Sequence, residues 1–323
     1  MKILAIQNRM GIGDMVIFLP FIDAIAKKYN CPIDILVKKN SKASQILNDN
    51  KNIGKIIILD RDNKDKNKRH DGLIGFFALI SDLKKYDFDK VFIFNSSLRF
   101  RLICKSAGIK KIYQYPLFKK KNQHIIQAAQ NFIKKKLNLD VESNPLIKLK
   151  DSLIQNSKRQ YSINDNQTNI ILGIGGSGPT KRIPAEKFLL FMHMATEQYD
   201  CKFFLATGNN SDEQIILKQI MQSEFKEKCV PLDQKNLNEI LPIIKNCQIA
   251  ICNDSSFSHL SAALGIPTIV LVSDTPLLYG NYSPRMHPII PDGEDTVGHD
   301  TLGKDKINPE KIFNKLKNIL NLN

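Results

Sequence analysis

The sequence predicts an α/β protein of two consecutive domains, each built on a parallel sheet. Three observations predict it. The chain has 323 residues, too long for one ordinary domain and comfortable for two of about 150 each. Short apolar, β-rich runs alternate with longer helical patterns through both halves. Between the halves lies a polar stretch from Lys150 to Gln167 (KDSLIQNSKRQYSINDNQ) with no sustained period, the natural linker. The domains are therefore drawn as 1–160 and 161–323, with the last helix free to pack back on the first.

In the first half, Lys2 to Gln7 (KILAIQ) reads as a buried strand and Asp14 to Tyr29 as an apolar helix. Ile33 to Val37 is strand, Ser41 to Asn50 helix, and Lys55 to Leu59 strand. After a basic loop, Leu73 to Lys85 is helical, Lys90 to Phe94 strand and Leu98 to Ala107 helix. Beyond the linker the alternation restarts, with strands at Asn169 to Ile174, Lys202 to Ala206, Gln248 to Cys252 and Thr268 to Val272. Helices follow at Ala185 to Gln198, Ser211 to Met221, Leu237 to Lys245 and Phe257 to Leu264, and Pro309 to Leu320 closes the chain. Continuous apolar strands separated by helices mean sheets covered on both faces. Two Rossmann-like domains facing across a cleft follow, and the cleft is the expected ligand site.

Composition excludes several classes. Hydrophobic content of 42% rules out wholesale disorder. No apolar run reaches the roughly 18 residues needed to span a bilayer. The longest, Met15 to Ala26, carries Asp23. The opening MKILAIQNR lacks the features of a signal peptide, so a cytoplasmic protein is expected. The six scattered cysteines form no C-x-x-C pair and read as reduced core residues. A net charge of +15, with runs at Lys64 to Arg69, Lys119 to Lys121 and Lys134 to Lys136, suits an anionic membrane leaflet or a phosphorylated substrate. It could also merely solvate the surface. Nucleic acid is not expected, because no binding signature is present and no aromatics interleave with the basic runs.

Four loops, each leaving the carboxyl end of a predicted strand, could carry chemistry. The first is Asn8-Arg9-Met10-Gly11-Ile12-Gly13-Asp14. Its glycines permit a tight turn, and Asp14 is placed either to cap the following helix or to act as a general base. The second, Gly173-Ile174-Gly175-Gly176-Ser177-Gly178, fits G-x-G-x-x-G. Pro179 and Pro184 delay the helix, and Asp200 precedes the next strand rather than ending it. This is a phosphate-approaching loop followed by the cations Lys181 and Arg182, more than a dinucleotide fingerprint. The third, Asn253-Asp254-Ser255-Ser256-Phe257-Ser258-His259, opens a helix whose first amides suit a diphosphate, with His259 one turn in. The fourth, Thr207 to Glu213, offers Asp212 either to ribose hydroxyls or to helix capping.

These segments, in this order, resemble the family nine glycosyltransferases of GT-B fold, the heptosyltransferases of lipopolysaccharide core synthesis. KILAIQNRMGIGDMVIFLPFIDAIAKKY resembles the family's first strand, glycine–aspartate loop and proline-bearing helix. FNSSLRFRLICKSAGIKKIYQY is similar to its strand–helix segment with a central arginine, and ILGIGGSGPTKRIPAEKF to its lysine loop. ICNDSSFSHLSAALGIPTIVLV resembles the Asp-Thr-Gly-x-x-His block, and YGNYSPRMHPI the tail block. Where many members carry Arg and Gly, this chain has Gln7 and Ser256.

The resemblance implies an inverting transferase, without metal or cofactor, that moves a sugar from ADP-heptose to a lipid-linked or glycan acceptor. It implies Asp14 as the base and Lys181 on the donor diphosphate, with Asp254, Ser255, Ser256 and His259 lining the donor pocket. Gly13 and Ser177 belong with the loops, and Arg99 with the acceptor side, where a basic surface meets the inner face of the membrane. Two rivals stand beside it: a nucleotide-sugar epimerase on the same scaffold, and a non-catalytic nucleotide-sugar-binding protein.

Overall fold

The computed structural model describes residues 1–9, 11–61, 68–117 and 124–321. The chain divides into two compact units, Met1–Pro145 and Leu146–Asn323. Each is an α/β unit with one wholly parallel sheet.

The first unit runs β1 (Ile3–Gln7), α1 (Ile12–Tyr29), β2 (Ile33–Val37), a single-turn α2 (Ala43–Ile46) and β3 (Ile53–Ile58). It continues through α3 (Gly72–Lys84), β4 (Lys90–Ile93), α4 (Leu98–Ser106), β5 (Lys111–Gln114) and α5 (Ile125–Leu137). The sheet order is β3-β2-β1-β4-β5, so the chain reverses its direction of travel between β1 and β4. All five residues of β1 are buried, as a strand covered on both faces must be. The helix expected over 41–50 shrinks to α2 after a tight turn at Lys39–Ser41, because Lys42 sits in the left-handed region at φ 52°.

The second unit opens with α6 (Asp151–Gln160), then β6 (Thr168–Gly173), α7 (Ala185–Gln198), β7 (Cys201–Ala206), α8 (Ser211–Met221) and β8 (Cys229–Pro231). Next come α9 (Leu237–Lys245), β9 (Ile249–Asn253), α10 (Ser256–Ala263), β10 (Thr268–Leu271), β11 (Met286–Ile289) and α11 (Pro309–Leu320). The order β11-β10-β9-β6-β7-β8 is that of a doubly wound nucleotide-binding sheet, with its switch point between β6 and β9.

One expectation is corrected here. The polar stretch after Lys150 is not a linker. Asp151 in its first turn and Lys158 and Arg159 in its last suit the helix dipole, and Asn246 Nδ2 ties α6 to α9 by donating to the Ile154 carbonyl at 2.9 Å. The division between units thus falls at Pro145 rather than near residue 160. The last helix packs within the second unit: Ile312, Phe313, Leu316 and Ile319 join its core, against α7.

Cys104, Cys201, Cys229, Cys247 and Cys252 are buried free thiols, and burial pushes those of Cys104 and Cys252 up to about 12. These five are packing residues, as expected, whereas Cys31 is only half-buried. Lys134–Lys136 close α5, where cations favour the helix end. Lys119 to Lys121 and most of the run from Lys64 lie outside the described residues. Among the described residues no helix is long and apolar enough to cross a membrane.

Candidate active site

In the first unit the loops after β1 and β4 leave adjacent strand ends, and Asn95 Nδ2 joins them by donating to Asn8 Oδ1 at 3.2 Å. Gly11, not Asp14, is the N-cap of α1, and Gly13 is the second residue of the helix. Asp14 stands in its first turn with both carboxylate oxygens engaged. Arg9 Nε donates to Oδ1 at 2.7 Å and the Gly11 amide to Oδ2 at 3.2 Å. Its side chain keeps about a fifth of its surface in solvent (22%), so the carboxylate is oriented and still reachable. The carboxylate thus engages the first turn of α1 and stays open to solvent.

Three further groups gather at this strand edge. Gln7 is buried at the end of β1 with neither amide atom hydrogen-bonded. The Tyr115 hydroxyl, past β5, is also buried without a partner; burial raises its pKa against the opposing charge of Arg9. Burial and Arg9 both lower that of His124 at the start of α5. Arg99, in the first turn of α4, is engaged by other partners: its Nη2 donates to the His70 carbonyl at 3.0 Å, and its guanidinium sits 5.4 Å above the Phe76 ring. It is not brought into contact with Asp14.

In the second unit the glycine loop leaves β6 at the switch point, beside the loop after β9. A Cβ on Gly173 would lie 2.6 Å from Cys252 Sγ, so only glycine lets these two strands end side by side. Asn253 Nδ2 donates to the carbonyls of Ile174 at 2.8 Å and Gly175 at 3.2 Å, pinning one loop to the other. Ser177 is exposed on the crest of the loop. Lys181 turns inward from the tight turn Pro179–Lys181, and its Nζ donates to Asp254 Oδ2 at 2.9 Å.

Asp254 is buried and also accepts the Thr275 hydroxyl at 2.5 Å. Burial pushes its carboxyl up, but the Lys181 ammonium, His259 and the Thr275 hydroxyl outweigh it and hold the group below the usual carboxylate value. Ser255 is the N-cap of α10 yet makes no side-chain capping bond, and its buried hydroxyl has no partner. The helix thus begins with its amide dipoles facing the loop and uncapped by that side chain. Ser256 starts the helix, and His259 is buried one turn in, its Nδ1 2.9 Å from the Tyr282 hydroxyl and the rings stacked.

Lys181, Asp254, Ser255, Ser256 and His259 therefore share one end of this sheet. Arg182 diverges from its neighbour, reaching Asp212 at 3.0 Å. Asp212 itself is an exposed surface partner (side chain 65% exposed). The acid that enters the glycine loop is Glu213, whose Oε1 accepts the Gly176 amide at 2.7 Å while Asn210 Nδ2 donates to Oε2. A Cβ on Gly175 would collide with that carboxylate at 2.4 Å. Sequence reasoning missed Glu213, although its helical register with the inward-facing Ile216, Leu217 and Ile220 marks it as buried. Thr275 left no comparable signal, and Tyr282 stood in the YGNYSPRMHPI block without marking itself as a site residue.

A family model of glycosyltransferase family 9 (heptosyltransferase) matches residues 77–292. The chain belongs to this family. It is accordingly a glycosyltransferase. Over 91% of this chain and 90% of the relative, it is 24% identical to lipopolysaccharide heptosyltransferase 1 of Campylobacter coli. Two solved structures share the two-domain, parallel-sheet fold, each at 18% identity. The family 9 glycosyl transferase of Veillonella parvula has a TM-score of 0.75 over 100% of this chain and 98% of its own. The ADP-heptose lipopolysaccharide heptosyltransferase II of Escherichia coli has a TM-score of 0.73 over 99% and 98%. The expected GT-B architecture is thereby met.

Proposed function

We propose that this family member transfers a heptose from ADP-heptose to the core of a lipopolysaccharide or a similar glycan acceptor, in one inverting step without a metal ion. The observation that carries the reading is the Lys181–Asp254 pair at the uncapped start of α10. It sets a positive charge and a helix dipole at a switch point, where a diphosphate is held and, as a leaving group, stabilised. The second unit supplies this donor site, with Ser177, Ser255, Ser256 and His259 around it. The first supplies the base. Asp14 takes the proton from the acceptor hydroxyl as that oxygen bonds to the anomeric carbon. The bond from that carbon to the phosphate oxygen breaks, and the electron pair leaves with the nucleotide diphosphate. Arg9 and the Gly11 amide hold the carboxylate in one orientation for that task.

A lipid-linked acceptor places the work at a membrane surface, which the basic first unit favours. Membership of a transferase family favours transfer over the epimerase and over simple binding. Incubation with a panel of nucleotide sugars, with and without acceptor, tests it. Acceptor-dependent release of ADP is expected. Isomerisation of the donor without acceptor, or binding without turnover, would overturn the proposal.

A further inference from the structure

Two neighbouring helices of the first unit present outer faces that the core does not use. On α3, Leu79, Ile80 and Leu83 enter the core, while Leu73, Ile74 and Phe77 point away and are 80%, 87% and 67% exposed. At helical spacing this outer stripe continues through Ser81 to Lys84 and the C-cap Lys85, all exposed. The adjacent α4 repeats the arrangement. Phe100, Ile103 and Cys104 are buried, whereas Leu98 and Leu102 are exposed beside Arg101 and Lys105. Arg99 ties the two helices through Phe76 and the His70 carbonyl.

The charge on this face has one sign. The outer stripes carry the cations Lys84, Lys85, Arg101 and Lys105 and no carboxylate. Asp82, the one acid in either helix, is only partly exposed and is held by Arg69, His70 and Lys85, so the cations of this face that it does not engage are Lys84, Arg101 and Lys105. Single exposed apolar residues are ordinary, but a contiguous set of this size is not. Both helices begin at the carboxyl ends of parallel strands, so their apolar halves lie at the sheet edge from which the Asp14 loop also leaves.

We propose that this face docks the first unit on a bilayer containing anionic lipid. Leu73, Ile74 and Phe77 enter the boundary between headgroups and acyl chains, and the flanking cations meet lipid phosphates. The purpose of the contact rests on the transferase reading, since it would bring Asp14 to a lipid-borne acceptor; the surface itself does not. A second copy of the chain fits less well, because a two-fold contact would set like cations against one another.

The test is cosedimentation of the full chain with phosphatidylcholine vesicles, with and without phosphatidylglycerol. Binding to the anionic vesicles is expected, weakened by salt. The variant I74E/F77E should lower that partitioning by about tenfold or more, and K84E/R101E by about fivefold or more. Both should keep the thermal midpoint and ADP affinity of the parent, which shows that they fold. Absence of binding by the parent chain, or undiminished binding by both variants, would overturn the proposal. So would a parent dimer in sedimentation that I74E/F77E dissolves. Turnover on a detergent-dispersed acceptor reports on the transferase reading alone, so the two ideas fail separately.

Discussion

Lys181 Nζ sits 2.9 Å from Asp254 Oδ2, although the two residues lie 73 positions apart on loops that leave different strands. The pairing keeps an otherwise mobile lysine at the start of α10, and Thr275 fixes the carboxylate from its other side. A positioned cation next to a helix start that Ser255 does not cap binds a diphosphate more strongly than either does alone. Lys181→Ala should therefore weaken ADP binding by about ten- to a hundredfold, the loss expected for a charge-assisted hydrogen bond. Titration calorimetry checks it. Unchanged affinity would remove Lys181 from the phosphate site.

Asp14→Asn separates the base from the cap. An asparagine oxygen can still accept the Gly11 amide, so α1 should keep its first turn and the stability change should stay small. Proton acceptance is lost, and turnover should fall by about 10²–10⁴. ADP, which the proposed function assigns to the other unit, should bind with unchanged affinity. A variant with near-parental turnover would leave Asp14 as a capping residue only.

What the sequence shows of this protein follows burial. β1 and β9 are buried at every residue, and such unbroken apolar runs are legible as central parallel strands. Three of the four edge strands, β5, β8 and β11, are short, and each keeps side chains partly outside the core, so they carry little pattern. The helix α6 buries only Ser157 and passes for a linker because no apolar stripe announces it. At the site, glycines, Lys181 and Asp254 stand out by position after strands. Choosing between the adjacent acids Asp212 and Glu213 needs the helical phase of α8, and Thr275 and Tyr282 arrive only through the fold.

Glu213 and Asp212 should respond unequally to mutation. Glu213→Ala leaves the buried Gly176 amide without its acceptor and should cost about 1–3 kcal/mol. Asp212→Asn breaks an exposed pair with Arg182 and should stay within about 0.5 kcal/mol. Urea unfolding of the two variants distinguishes them. Equal losses would mean that the loop does not depend on Glu213.

Gly173→Ala probes the closeness of β6 and β9. The added methyl would meet the Cys252 side chain at 2.6 Å and 2.8 Å, with the backbone behind it at 3.2 Å. There is no flexible end to move, so overpacking should cost about 1–3 kcal/mol. Trimming the neighbour in G173A/C252A should recover part of it. No recovery in the double variant would place the strain in the backbone of β6 instead.

Asp254 also ties stability to pH. Its folded carboxyl lies below the ordinary aspartate value of about 3.9. The stabilisation it adds is thus complete above that value and is lost as pH falls through the lower folded one. Asp82, Asp274 and Asp292 are lowered in the same direction, so the acid limb of the parent protein sums several groups. Asp254→Asn isolates one of them. At neutral pH the variant should be less stable by about 1–3 kcal/mol, because the Lys181 ammonium loses its carboxylate partner and faces only an amide oxygen. Below about pH 3.9 the two thermal midpoints should converge, since the parent's own carboxyl is then being protonated. Midpoints that stay a constant distance apart from pH 7 to about pH 2 would show that the Lys181–Asp254 pair contributes nothing to the acid limb.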